Sequence, residues 1–550
     1  MASGFAPSGR NTSDNDAGLV RRCRSKNIGH VHRVSEPENM LGKTLKNFAS
    51  QLLSLLISIG DRFLLTAVLL RMWPTDLFAD WTTLMAWSGL LGLADLGFVI
   101  FVGNRLQKAF GLGDEVGFQR QVGTAAFIYV LLGLLVIVIA ALLAAIESAS
   151  PFISVRSLNS SDAALALFSL GVMQAVQTTK SAFTQIYRGR GEFSRGVIID
   201  SVSTLCIVVS ALAAAGCGAG PRVLALTYIA SQLVFAWGIL LTDLTRRYPT
   251  LRLWPLPPSV SELREAGLAM RWYALTYALP TIWLQAPVLL LSALGLGGPM
   301  VVTFVLHRTL VNFGRTFVVM LSTSVGVELT PHVHCGNTAM IERGITFVGR
   351  SVAAMGGVMA AGLLTFGASI VQLLTGKSDL FDMATLFWLV LPAIVVAPAI
   401  PLLYLAHLAD IPKQQAIAQV TQTTVAIALA VPLAASFGAA GVAFAMAAGE
   451  VVSIGLVLPI LLTRRLGIAY WRHAIQCIPI AFAALVWGGA VGRVVGFAIG
   501  THDLVRLIVC LAIWAAATLL PIASLLLPAD QHKRLRDAAR AFWLNRTKEA

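Results

Sequence analysis

Arg308, Asn312 and Arg315 interrupt an apolar run that extends from Val301 to Val327. At about 100° per residue the three fall within about a 60° arc, so one helix face carries two guanidiniums and an amide. An arginine near the bilayer centre costs about 2.5–3.5 kcal/mol, so that face requires water, a counter-charge or an anionic ligand. The planar fork of arginine matches phosphate and carboxylate oxygens, which suits it to a diphosphate or a sugar acid. The competing reading is a set of salt bridges from Arg308 and Arg315 to Asp61, Asp95 or Glu450. Neighbouring His307 is a lone histidine and receives no role.

Few other charges lie within apolar runs. Asp61 and Arg62 are adjacent, so on a helix they diverge by about 100° and pair poorly with each other. Two readings follow: a pair reaching neighbouring helices, or an Arg62 that lines a cavity. Asp95, within Gly92-Leu93-Ala94-Asp95-Leu96-Gly97, is either a packing carboxylate or a group that titrates for proton coupling. Glu450 has no charge at neighbouring helical positions and needs a partner from another helix or a bound proton. Lys180 sits near the limit of snorkelling range, where a cavity role competes with a headgroup contact. Asp243, near a helix end, is expected to be solvated. HExxH, Walker A and GxSxG patterns are absent, and no loop gathers Asp, Glu and His, so the chain is not expected to be an enzyme.

The elements that position these residues are membrane helices. The chain has 550 residues, 57% hydrophobic and only 12% charged, with a mean hydropathy of +0.76. Apolar runs of about 20 residues recur along its length, each able to cross a ~30 Å hydrocarbon core. They predict an all-α polytopic membrane protein of about fourteen spans: 48–70, 77–104, 122–147, 161–187, 196–217, 221–243, 267–295, 299–327, 346–374, 382–408, 414–436, 438–463, 474–499 and 503–528.

With the N-terminus inside, about 29 Lys and Arg fall on the cytoplasmic side and about five on the other, which places both termini in the cytoplasm. The net charge of +14 therefore sets topology and meets membrane lipids, and nucleic acid is not an expected partner. Cys23, Cys206, Cys217, Cys335, Cys477 and Cys510 are scattered, and neither disulfides nor a metal site is expected. Residues 1–44 read as a disordered cytosolic tail and not as a signal peptide. Ser259 and Glu262 match a capping box opening a short interfacial helix, and Asp530 to Asn545 reads as an amphipathic surface helix.

An internal repeat organises the spans. Leu244-Thr245-Arg246-Arg247 recurs 218 residues later as Leu462-Thr463-Arg464-Arg465, and the same offset sets Gln232 over Glu450 and Gly220 over Gly438. The chain therefore divides into two six-helix lobes, 45–250 and 251–466, around a central cavity, followed by two extra helices at 467–528 and a cytosolic amphipathic tail at 529–550. An even helix number per lobe makes these parallel repeats about an axis along the membrane normal.

Asp61-Arg62, then Leu90-Leu91-Gly92-Leu93-Ala94-Asp95-Leu96-Gly97-Phe98 and Asn104-Arg105-Leu106, resemble the first two helices of the polysaccharide and O-antigen flippases. These belong to the multidrug/oligosaccharidyl-lipid/polysaccharide (MOP) exporter superfamily. Gln285, Leu294-Gly295, the stretch from Arg308 to Arg315, and Gly438-Ala439-Ala440-Gly441-Val442-Ala443 extend the resemblance over about residues 45–465. It implies a bacterial inner-membrane flippase that moves a polyprenyl-diphosphate-linked oligosaccharide by alternating access, with no cofactor but with proton or sodium coupling in some members. On this chain the implied headgroup ligands are Arg62, Arg308 and Arg315, to which Asn312 and Lys180 add by position, while Asp61, Asp95 and Glu450 serve coupling or ion pairing. Implied partners are the lipid-linked oligosaccharide, a polysaccharide polymerase and glycosyltransferases. A drug or small-cation exporter of the same superfamily, and a non-transporting membrane subunit of a polysaccharide-synthesis complex, are the alternatives.

Overall fold

The computed structural model describes residues 50–526 apart from 52, 154, 335, 410 and 502. The expected tails, 1–44 and 529–550, and the surface helix at Asp530 to Asn545 lie outside the described residues. Within them the protein is a multi-pass, all-helical membrane protein without strands. The helices are α1 (Leu53–Met72), α2 (Thr75–Leu91), α3 (Phe98–Gly111), α4 (Glu115–Ala149), α5 (Ser160–Gly189), α6 (Phe193–Gly216) and α7 (Pro221–Arg247). There follow α8 (Val260–Ala293), α9 (Pro299–His334), α10 (Thr338–Thr375), α11 (Met383–Val395), α12 (Ala397–Leu408), α13 (Pro412–Leu466), α14 (Tyr470–Ile499) and α15 (Leu504–Leu526). Among the described residues nine helices are long and apolar enough to cross a membrane, and the bent α11–α12 pair makes ten. The other expected spans are helical too, but polar residues or breaks interrupt their apolar runs.

Two of the expected continuous spans are broken, and a third break falls where two spans were expected to meet. The segment 77–104 breaks after a 3₁₀ turn at Gly92–Asp95, where Leu96 and Gly97 have φ of 47° and 77°. Gly97 takes that conformation without steric cost, and Leu96 does so against the preference of a side chain. Asp95 closes the 3₁₀ turn before the break, and its carboxylate accepts the Tyr129 hydroxyl of α4. The segment 382–408 bends by 48° between α11 and α12, where Pro398 cannot supply the helix hydrogen bond. Within α13 a kink at Gly438 (φ 56°, ψ −132°) separates the two spans expected there.

The expected short interfacial helix is instead the first turn of α8. Ser259 and Glu262 form the full capping box, and Glu262 also pairs with Arg120 of α4 at 3.0 Å. The Ser259 backbone, followed by Arg120, holds the Glu262 carboxyl below its usual range. Beyond this contact with α4, α8 packs along both α13 and α2. It thus bridges the two parts of the chain.

Packing is unequal at the two ends of the bundle. Near the expected outer end one apolar core takes in Leu69, Leu84 and Leu167 together with Leu291, Phe304 and Leu386. Near the expected inner end there are two separate cores. One holds Leu106, Phe118, Tyr129 and Tyr187, the other Ile341, Leu402, Leu405 and Leu462. Polar bonds follow the same pattern. At the outer end Arg71 of α1 donates to the carbonyls of Leu373 and Leu374 in the last turn of α10, at 2.5 and 3.2 Å, where carbonyls lack helix partners. Lys377 reaches Thr75 at 2.8 Å, and the Arg156 guanidinium donates to the Gly295 carbonyl.

The loop after α4 is fixed by two buried carboxylates. Glu147 accepts the N–H groups of Phe152 and Ile153 at 2.9 Å each. Asp80 of α2, 3% exposed, accepts those of Arg156, Ser157 and Leu158 at 3.0, 2.6 and 3.2 Å. Replacing Asp80 by Ala strands these donors and is expected to cost about 3 kcal/mol, whereas Asp80→Asn retains part of the network. Thermal unfolding in detergent checks this; equal loss for both variants would show that carboxylate acceptance is not what holds the loop.

Candidate functional site

Four of the eight residues singled out from the sequence meet in one cavity. About 150 Å³ in volume, it is lined by Arg308, Asn312 and Arg315 of α9, Glu450 of α13, Trp283 of α8 and Leu389 of α11, among others. The helical spacing of α9 aims the first three inward. The volume equals that of about five liquid waters.

The two arginines have different partners. Arg315 Nη1 meets Glu450 Oε2 at 2.9 Å, and Arg315 Nη2 contacts the Leu389 carbonyl at 3.4 Å. Glu450 is 7% exposed and sits where α13 enters a π-turn, Val451–Val457. Tyr404 of α12 lies close to both members of the pair. Arg308 has no carboxylate within ion-pair distance among the described residues. Its guanidinium donates to the Leu284 carbonyl and lies over the Phe304 ring, 5.3 Å from the centroid. Pro287, lacking an N–H, loosens the α8 turn beside that carbonyl. The salt-bridge reading therefore accounts for Arg315 and leaves Arg308 as an uncompensated cation.

Arg62 is adjacent to the cavity without lining it. Phe63 packs edge-on against Phe313 with centroids 5.5 Å apart, which brings the π-turn of α1, Gly60–Leu65, against α9. Arg62 and Arg308 are close enough for their charges to repel. At 1.5 Å per residue both lie about 15 Å from the same end of the bundle. Arg62 is exposed and has no ion-pair partner among the described residues.

The remaining three are elsewhere. Asp61 is half-buried, near Tyr228 of α7. Asp95 accepts the Tyr129 hydroxyl at 2.5 Å and does not line the arginine cavity. Lys180 is buried and pairs with Asp200 of α6 at 2.8 Å. Asp243, expected in solvent, instead receives Arg195 at 2.9 and 2.6 Å and the Tyr187 hydroxyl at 2.6 Å. His307, to which the sequence gives no role, is fully buried and joins the Thr303 carbonyl to the Asp382 N–H. It locks α9 to the start of α11. Among the described residues no group of three or more His, Cys, Asp and Glu side chains could hold a metal ion.

Sequence reasoning missed Trp283, the Leu284 carbonyl and Tyr404. Pro280 and Pro287, inside the apolar run of α8, are the signal that could have pointed to the first two.

No protein-family profile and no curated protein matches the chain in sequence. Its fold does match solved structures. A multidrug resistance MATE family transporter of the MOP superfamily, in an inward-facing conformation, aligns with a TM-score of 0.62 at 14% identity over 76% of this chain and 99% of that one. The lipid II flippase MurJ, in an inward closed conformation, gives a TM-score of 0.61 at 11% identity over 88% of this chain and all (100%) of the other. A MOP superfamily transporter from Pyrococcus furiosus, described as having a binding pocket of reversed polarity, gives 0.53 at 14% identity over 76% and 94%. The chain thus has the fold of MOP superfamily transporters. These neighbours are described as two transporters and a flippase, and none as an enzyme.

Proposed function

We propose that this chain is a flippase that carries a polyprenyl-diphosphate-linked oligosaccharide across a bacterial inner membrane for surface polysaccharide export. The observation that carries the reading is Arg308, a membrane-embedded cation lining a small cavity and, among the described residues, without a carboxylate to neutralise it. In this reading Arg308 and Asn312 hold the diphosphate, Arg62 approaches it from α1, and Arg315 is released to it when Glu450 takes up a proton or sodium ion. Lys180, bound to Asp200, contributes field rather than contact. Asp61 and Asp95 are secondary coupling candidates.

Two six-helix lobes, 45–250 and 251–466, working by alternating access with both termini cytoplasmic, complete the proposal. It is supported by the shared core at one end and separate cores at the other. The π-turns at Gln232–Trp237 and Val451–Val457, in the two spans that the repeat pairs, support it as well. Deleting the gene is expected to abolish surface polysaccharide while its lipid-linked precursor accumulates; intact polysaccharide with altered drug resistance would overturn the assignment. The second reading, a drug or small-cation exporter, is favoured by one feature, the acidic Glu450 at the cavity wall.

A further inference from the structure

A cavity of about 1170 Å³, separate from the arginine cavity, lies between α10, α14 and α15. Arg343, Phe347 and Arg350 follow one another on a single face of α10, opposite Gln476 and Trp487 of α14, with Ile522 of α15 as the third wall. Polarity is graded along the groove. With 38 residues, α10 is about 57 Å long against a ~30 Å core, so about nine residues project at each end if it is centred. Arg343 then sits at headgroup depth and Arg350 just inside the core. By the same arithmetic Trp487, 47% exposed, lies at acyl-chain depth.

The arginines are exposed and available. Neither has a carboxylate within ion-pair distance among the described residues. Glu342 also lines the groove, with one carboxylate oxygen accepting the Ala469 N–H at 2.7 Å. Arg350 donates to Gln476 at 2.7 Å, bridging two walls of the groove and leaving other guanidinium donors free. The chain following Ile522 carries Lys533, Arg534, Arg536 and Arg540, of the same sign as Arg343 and Arg350, so charge argues against that segment as the occupant.

We infer that this groove is a specific site for an anionic glycerophospholipid, its phosphate on Arg343, Arg350 and Gln476 and its acyl chains along Phe347, Trp487 and Ile522. A cation at headgroup depth and a second just inside the core, over an apolar trough, match the commonest anionic amphiphile of a leaflet. The site is independent of the transported substrate and would anchor α14 and α15 to the rest of the bundle.

The test is native mass spectrometry of the purified full chain titrated with phosphatidylglycerol, phosphatidylcholine and undecaprenyl phosphate. One phosphatidylglycerol should be retained in preference to phosphatidylcholine. Arg343→Ala should weaken it about 5-fold and the Arg343→Ala/Arg350→Ala pair about 30-fold, as about 1 kcal/mol per interfacial cation requires. The Arg343→Lys/Arg350→Lys pair should stay within a few-fold, and Arg464→Ala/Arg465→Ala, at the end of α13, should have no effect. Because Arg343 is exposed, its single variant keeps the test valid if the double variant misfolds. Equal retention in the alanine variants, equal retention of phosphatidylcholine, or displacement by equimolar undecaprenyl phosphate would each overturn the assignment.

Discussion

In the proposed mechanism, Arg308→Ala is expected to reduce transport of the lipid-linked oligosaccharide by about 100-fold at an unchanged level of membrane protein. The magnitude follows from the site. Removing a charge-assisted contact to a desolvated anion costs about 2–5 kcal/mol, and about 3 kcal/mol corresponds to about 100-fold in affinity. Stability should change little or improve, because the side chain replaced has no carboxylate partner among the described residues and is repelled by Arg62. Arg308→Lys restores a point charge without the planar fork, so partial recovery is expected. Measuring export alongside thermal unfolding separates the two effects. Parallel loss of stability and export in Arg308→Ala would make the residue structural.

Glu450→Ala is expected to behave in the opposite way. Its partner Arg315 lies 2.9 Å away, and removing one member of a buried pair leaves the other uncompensated, at a cost of about 3–5 kcal/mol. The double variant Glu450→Ala/Arg315→Ala should recover much of that loss, since neither charge is then stranded. Glu450→Gln keeps the shape and frees Arg315 permanently, which in the proposed mechanism mimics the protonated state. It should bind headgroup more tightly and release it more slowly. Unfolding midpoints of the three variants, with a binding isotherm for Glu450→Gln, check both halves. Additive destabilisation in the double variant would show that the pair is not coupled.

Hydropathy was sufficient for the membrane class and for most helix positions, because a ~30 Å apolar layer imposes length and composition on whatever crosses it. The face formed by Arg308, Asn312 and Arg315 was legible for a related reason: helical spacing is local. That Glu450 needed a partner was also readable, but the partner was not. Arg315 is 135 residues away, and only tertiary packing selects it over Arg308. The break at Leu96–Gly97 depends on positive φ values, which a glycine permits without requiring, whereas the kink at Gly438 falls between two spans expected from hydropathy. The outer-end contacts were illegible altogether, because the carbonyls of Leu373, Leu374 and Gly295 have no side-chain signature. Asp80 was overlooked since its partners are the backbone N–H groups of a loop that closes only in the folded state.

A difference between the arginines also separates the competing functional readings. An exporter of cations would be served by the acid at the cavity wall and hindered by an unneutralised Arg308. A carrier of anionic headgroups needs that cation and can use Glu450 as a competitor that holds Arg315 until the substrate or a coupling ion displaces it. Arg308 and Glu450 line the same cavity, so one site serves either assignment. The sign of the charge it accepts decides between them.

The central claim is tested most directly by reconstituting the purified chain in proteoliposomes loaded with a fluorescent undecaprenyl-diphosphate oligosaccharide and measuring its movement between leaflets. The wild-type protein should translocate it, Arg308→Ala should fall to the protein-free rate, and a neutral polyprenyl-linked sugar without the diphosphate should not move. Equal translocation by wild type and Arg308→Ala, or of the neutral analogue, would contradict the account.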